Sequence, residues 1–177
     1  FRRYAEEKIK PVAEHIHRTN GDIPEEIIQG LAEMGAFGLS ISEEYGGYAS
    51  GGESDYIGMV IATEELSTAS LGAGGSLITR PEILARAIEA GGTDEQKHRI
   101  LPKILQGEMH FAIGYTEPNA GTDLASLQTR AVRDGDHYVV NGQKTWTSLA
   151  GGADYCWLAV RTDPEAVDLR RGLELYE

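Results

Sequence analysis

The chain has 177 residues, 41% of them hydrophobic and 25% charged, which is the composition of a globular protein and not of a disordered or fibrous one. Acidic residues (28) outnumber Lys and Arg (16), and the net charge of −12 argues against a nucleic-acid backbone or an anionic membrane as partner. A single cysteine, Cys156, excludes an internal disulfide and a Cys-rich metal site.

No apolar run approaches the roughly 18 residues that a bilayer span needs, and Phe1 to Glu7 carry no apolar signal core. These features predict a cytoplasmic protein. The histidines, His15, His17, His98, His110 and His137, show no zinc-type spacing, so no metal site is expected.

The first hundred or so residues follow a helical period. Ile9, Val12, Ala13 and Ile16 share one face, with Pro11 a start or kink, and Asn20-Gly21 ends the stretch. A second helix is predicted with Asp22 as its cap, Glu25 and Glu26 at the positive end of its dipole, and Gly35 as a left-handed stop. After the Gly-rich loop 42–52, Ser54 opens a third helix. A fourth covers about Leu71 to Ala90 with an interruption at Pro81, and Thr93 and Gln96 form a capping box for a fifth that stops at Gly107.

Beyond Gly107 the grammar becomes that of strands. Met109 to Thr116 is β-compatible, and Asp134-Gly135 between two alternating runs predicts a hairpin. Asn141-Gly142 leads into a strand over Lys144 to Ser148, and Tyr155 to Thr162 reads as a buried strand. Arg171 to Glu177 reads as the start of one more, which leaves a β half with unpaired edges. The expected class is α+β, a helical domain over residues 1–108 followed by an antiparallel β domain over 109–177, incomplete at its C-terminus.

Two segments carry candidate chemistry. In Gly114 to Asp123, Gly121 lets a ligand approach backbone amides and Thr122 adds a hydroxyl, a combination able to hold phosphate oxygens; a turn whose Thr116 and Asp123 satisfy their own backbone is the alternative. In Trp146-Thr147-Ser148, an indole beside two hydroxyls suits a flat heteroaromatic ring, and a core tryptophan on a sheet is the alternative. Neither a P-loop nor a dinucleotide-fold glycine motif is present.

The run Thr116-Glu-Pro-Asn-Ala-Gly-Thr-Asp123, followed at the characteristic interval by Asn141-Gly-Gln-Lys-Thr-Trp-Thr-Ser148, resembles the acyl-CoA dehydrogenases. Gly92-Thr-Asp-Glu-Gln-Lys97 and Glu44-Tyr-Gly-Gly47 extend the resemblance over essentially the whole chain. It implies a helical N-terminal domain and a middle β domain, without the family's C-terminal four-helix domain. It also implies FAD as cofactor, removal of an α-proton from an acyl-CoA thioester by a glutamate, and passage of the β-hydride to the flavin.

Position by position, Tyr115 and Thr116 resemble the residues at the flavin's pyrimidine end. Gly121 and Thr122 resemble those near the pyrophosphate, with Thr122 also near the acyl-CoA. Trp146, Thr147 and Ser148 resemble the segment against the isoalloxazine. Tyr115 replaces an aliphatic residue and Ser148 the commoner Thr. The family's catalytic glutamate lies in the C-terminal domain, so the resemblance implies no catalytic residue in this chain, and the chain alone is expected to be inactive.

The run 71–83, with Thr79-Arg80, resembles the family members that act on a short branched or carboxylated acyl-CoA such as methylsuccinyl-CoA. Arg80 is then a candidate for the substrate carboxylate, and an exposed arginine near Glu82 is the alternative. The implied partners are the acyl-CoA, an electron-transfer flavoprotein as acceptor, and further copies of the complete chain in a homo-oligomer. A flavin oxidase or monooxygenase, or a non-catalytic partner subunit, shares the same framework.

Overall fold

The computed structural model describes residues 1–148 and 150–163, the side chain of Arg80 excepted, together with the backbone of 173–176. It forms two compact units, Phe1–Met109 and His110–Glu177. The first is helical and the second is built on a sheet.

Helical turns over Arg2–Tyr4 and Ala5–Ile9 run directly into α1 (Lys10–Thr19), with Pro11 in the first turn, where its missing amide is least costly. Helix α2 spans Glu25–Glu33, with Glu25 and Glu26 in its first turn as expected. Asp22 does not cap it. Pro24 holds an extended backbone at ψ 136°, so Pro24 itself is the cap residue and Asp22 falls two positions outside. Gly35 is left-handed at φ 73° and stops the segment as predicted.

Helix α3 (Glu53–Ser67) begins one residue before the predicted Ser54, and the Asp55 carboxylate accepts from the amides of Gly51 (2.7 Å) and Gly52 (3.2 Å). A turn of π-helix over Leu71–Gly75 leads into α4 (Ser76–Gly91), which runs through Pro81 without the predicted break. Ile78, Leu84, Ala85 and Ile88 of α4 are all buried, and their packing outweighs the roughly 3 kcal/mol penalty of an interior proline. Helix α5 (Asp94–Leu105) has the expected capping box: Gln96 N–H donates to Thr93 Oγ1 (3.2 Å) and Thr93 N–H to Gln96 Oε1 (2.8 Å).

The core of this unit gathers Ala5, Ile9, Ile27, Leu31, Phe37, Met59 and Leu66. The loop after α2 is locked by close backbone approach at Gly47. Ile41 O accepts the Ala49 amide at 2.8 Å, and a Cβ at Gly47 would lie 2.0 Å from that same oxygen. Gly47→Ala is expected to destabilise the protein by about 3 kcal/mol, measured by urea unfolding; a loss below about 1 kcal/mol would contradict the packing described.

In the second unit, β1 (Phe111–Gly114), β4 (Tyr155–Arg161), β2 (Arg130–Asp134) and β3 (His137–Asn141) lie side by side in that order, and β5 (Leu173–Tyr176) pairs with β4. The predicted hairpin is present with Asp134 opposite His137, and Gly135 takes φ 67° in the turn. The β2–β3 and β4–β5 pairings are antiparallel, and β1–β4 and β2–β4 are parallel. Phe111 and Tyr155 stack across the β1–β4 pair, and Trp157, Ala159 and Val160 are buried, as read from the apolar run. The α+β class and its order, helices and then sheet, hold.

Lys144 to Ser148 is not a strand. Trp146 sits in the left-handed region at φ 59°, which breaks an extended run, and a single ladder-like bond, Thr145 N–H to Thr116 O at 2.8 Å, joins the segment to the end of β1.

Candidate functional site

The sheet delivers two segments to one place. The loop 115–129 leaves β1, and the segment 142–148 leaves β3. Thr145 N–H donates to Thr116 O, and Lys144 Nζ donates to Tyr115 O at 3.0 Å, so the two segments run against each other. Gly142 permits this approach, since a Cβ there would come 2.6 Å from Thr129 Cα.

The loop is closed by its own backbone. Glu117 N–H donates to Ala120 O (2.8 Å) and Ala120 N–H to Glu117 O (3.2 Å), while Asp123 O accepts from the Ser126 amide and hydroxyl. Arg161, at the end of β4, fastens the far limb through Nη2 to Ala125 O at 2.7 Å. The loop is thus a turn held by the backbone of Glu117, Ala120 and Asp123, with no bond from the Thr116 or Asp123 side chain among the described residues, while Gly121 at its tip stays open. Among the described residues a Cβ at Gly121 would meet only Thr116 Cγ2, at 4.0 Å, and both Gly121 and Thr122 are exposed. Tyr115 is half-buried, with its hydroxyl accepting from Trp157 Nε1–H at 3.0 Å.

Beneath these segments lies an ion pair that the motif reading did not single out as such. Glu117 and Lys144 have side chains only 7% and 9% exposed, with Nζ 2.9 Å from Oε1. Oε1 also accepts from the Thr129 amide (2.8 Å) and hydroxyl (2.5 Å), and Oε2 from the Gln128 amide (2.6 Å). Burial alone would push the Glu117 carboxyl up, but the bonds from Lys144, Thr129 and the two amides overcome it and hold the carboxyl at about 2. Glu117 is thus a buried carboxylate engaged by four hydrogen bonds, three on Oε1 and one on Oε2.

Trp146 is 87% exposed, which removes the core-tryptophan reading. A large apolar ring held outward on a left-handed backbone is a costly arrangement, and such outliers gather where a ligand is bound. Ser148 N–H donates to Trp146 O (2.9 Å) and Ala150 N–H to Thr147 O (3.3 Å), which fixes the turn beyond it. Among the described residues, the buried Oγ1 of Thr145, the residue before Trp146, has no hydrogen-bond partner. An exposed indole, an orphaned hydroxyl, an open glycine and an exposed threonine form a set that a flavin dinucleotide fits: a ring to cover, ring heteroatoms to meet and phosphates to cradle.

Arg80 lies on α4, in the other unit, and its side chain falls outside the described residues. Among the described residues, no group of three or more His, Cys, Asp or Glu is placed to hold a metal ion, and no helix is long and apolar enough to cross a membrane.

Comparison with known proteins fits this architecture. Residues 1–108 match the N-terminal domain model of acyl-CoA dehydrogenases, and residues 112–175 match the middle domain model. The (2S)-methylsuccinyl-CoA dehydrogenase of Cereibacter sphaeroides is 48% identical over 99% of this chain and 31% of its own length. The solved structure of glutaryl-coenzyme A dehydrogenase in its glutaryl-CoA complex is 33% identical with a TM-score of 0.86, covering 99% of this chain and 43% of that one. The structure described as the electron transferring flavoprotein of Acidaminococcus fermentans is 32% identical with a TM-score of 0.85, over 99% and 44%.

The chain belongs to the acyl-CoA dehydrogenase family, whose members are FAD flavoproteins acting on CH–CH donors. It spans less than half the length of the relatives it matches.

Proposed function

We propose that this chain supplies the N-terminal and middle domains, over residues 1–108 and 109–177, of an FAD-dependent enzyme that converts an acyl-CoA thioester to its enoyl-CoA. When bound, the flavin supplies the acceptor for the substrate's β-hydride. The exposed, left-handed Trp146 carries the reading, because nothing among the described residues of its own unit accounts for that exposure and a flat ring does.

The residues divide the work of binding. Trp146 covers a face of the ring system, while Thr147 and Ser148 present polar groups at its edge. Tyr115 and Thr116 hold the pyrimidine end through backbone and hydroxyl groups, and the open backbone at Gly121 with the Thr122 hydroxyl receives the pyrophosphate. Thr122 also borders the acyl-CoA. Glu117, buried and held by Lys144, Thr129 and Gln128, takes no part as a base, and no catalytic base is assigned among the residues of this chain.

The substrate is a short branched or carboxylated acyl-CoA, with methylsuccinyl-CoA the first to test. The support is the 48% identity to the methylsuccinyl relative over nearly the whole chain. Arg80 is the candidate partner for a distal carboxylate, since a guanidinium meets it in a bidentate fork. The protein acts in the cytoplasm as a homo-oligomer and passes its electrons to an electron-transfer flavoprotein.

The test is anaerobic titration of the full-length gene product with methylsuccinyl-CoA, butyryl-CoA and isobutyryl-CoA in parallel, followed in the visible spectrum. Bleaching of a bound flavin by methylsuccinyl-CoA is the expected result. Bleaching by the uncharged thioesters alone would keep the dehydrogenase and remove Arg80 from the substrate site. The absence of a flavin band would point instead to a non-catalytic subunit.

A further inference from the structure

Four observations in the β unit meet at one segment, 142–148. Trp146 keeps an unfavourable backbone conformation with its ring in solvent. The residue two positions before it, Lys144, is buried and bonded to both Tyr115 O and Glu117. Thr145, between them, is tied to Thr116 through its amide while its buried hydroxyl has no partner among the described residues. The Glu117 carboxylate in turn gathers Gln128, Thr129 and Lys144, residues 11, 12 and 27 positions away in the chain.

We propose that the buried Glu117–Lys144 pair is a positioning clamp: it fastens the 142–148 segment to the end of β1 and so holds Trp146 in its left-handed, outward conformation before any ligand arrives. This deepens the flavin reading above and rests on it for the ligand. The clamp touches no reacting atom. Its contribution is preorganisation, because a free segment would relax Trp146 to an ordinary backbone region and lay the indole on nearby apolar surface, and binding would then have to reverse both.

A charge pair suits the task better than an apolar contact. Nζ is a compact donor that meets a main-chain carbonyl and a carboxylate together, so it fixes the segment's position along β1 as well as its depth. A methionine in its place would fill the volume without setting that register.

The experiment uses the full-length protein stripped of cofactor and labelled with 5-fluorotryptophan. The 19F resonance of Trp146 is identified by its loss in Trp146→Phe. Wild type, Lys144→Met and Lys144→Arg are compared by that resonance and by the Kd for FAD from flavin-fluorescence titration, at a temperature where thermal unfolding shows each to be folded.

The expected result is a Trp146 resonance shifted or broadened in Lys144→Met, an FAD Kd raised by about ten-fold or more, and partial recovery of both in Lys144→Arg. A folded Lys144→Met with an unmoved resonance, or with wild-type affinity, overturns the clamp. Where Lys144→Met does not fold, Lys144→Gln, which removes the ammonium that bonds both Tyr115 O and Glu117, is judged by the same two criteria. A wild-type protein that takes up no FAD would defeat the flavin reading, and the apoprotein resonance would still decide for or against the clamp.

Discussion

Glu117→Ala is expected to cost the protein about 3–5 kcal/mol of stability in urea unfolding, the usual consequence of breaking a buried ion pair on one side only. The substitution leaves the Lys144 ammonium, 9% exposed, with a single carbonyl partner among the described residues. It also leaves the amides of Gln128 and Thr129 and the Thr129 hydroxyl without their acceptor. Glu117→Gln keeps one acceptor oxygen, which can stay with Lys144 and Thr129 only by setting the new NH2 group against the Gln128 amide, so its cost falls between wild type and Ala. A loss under about 1 kcal/mol for Glu117→Ala would mean that the pair is solvated in solution.

The same carboxylate sets an acid limb. The folded Glu117 carboxyl lies at about 2, below its ordinary 4.5, so it stabilises the fold at pH values above 4.5. That contribution, on the order of 3 kcal/mol, is lost as the pH falls from 4.5 through 2, where the folded carboxyl finally takes up a proton. In Glu117→Gln this dependence should be missing, and stability measured across that window should fall less steeply than in wild type. Equal slopes would show that other carboxylates dominate the acid response.

What was legible in the sequence was local. The Thr93–Gln96 capping box, the Asp134-Gly135 hairpin and the Gly35 stop each involve residues within four positions, and each stands as read. At Pro81 propensity in its own turn argues for a break, whereas the packing of Ile78, Leu84 and Ile88 keeps the helix continuous. Asp22 failed as a cap because Pro24 claimed that position through its own fixed φ.

The site was legible as two motifs, but not as a mechanism of assembly. Glu117 looks in the sequence like one carboxylate among many, and only the partners 11 to 27 residues away make it a staple. Trp146 carried an aromatic, strand-like pattern that the left-handed backbone contradicts. No residue-type signal predicts a positive φ at tryptophan, since only Gly, and to a lesser degree Asn or Asp, adopts it readily.

That conformation makes Trp146 the place where stability and function should separate. Trp146→Gly is expected to raise the unfolding free energy by roughly 1 kcal/mol, because glycine occupies the left-handed region without the Cβ clash and an 87% exposed ring gives up little burial when removed. The same change should weaken FAD binding about thirty-fold, the loss of one aromatic face worth about 2 kcal/mol. Trp146→Ala separates the two effects. It removes the ring but keeps a Cβ at φ 59°, so it should match Gly in lost FAD affinity and fall about 1 kcal/mol below it in stability. Equal stability of the Ala and Gly variants would show that the backbone at 146 relaxes once the ring is gone, and that the strain belongs to the indole's placement and not to the clamp. A Gly variant that is less stable than wild type would mean instead that the indole packs on the protein in solution, and the argument for a preformed flavin platform would fall with it.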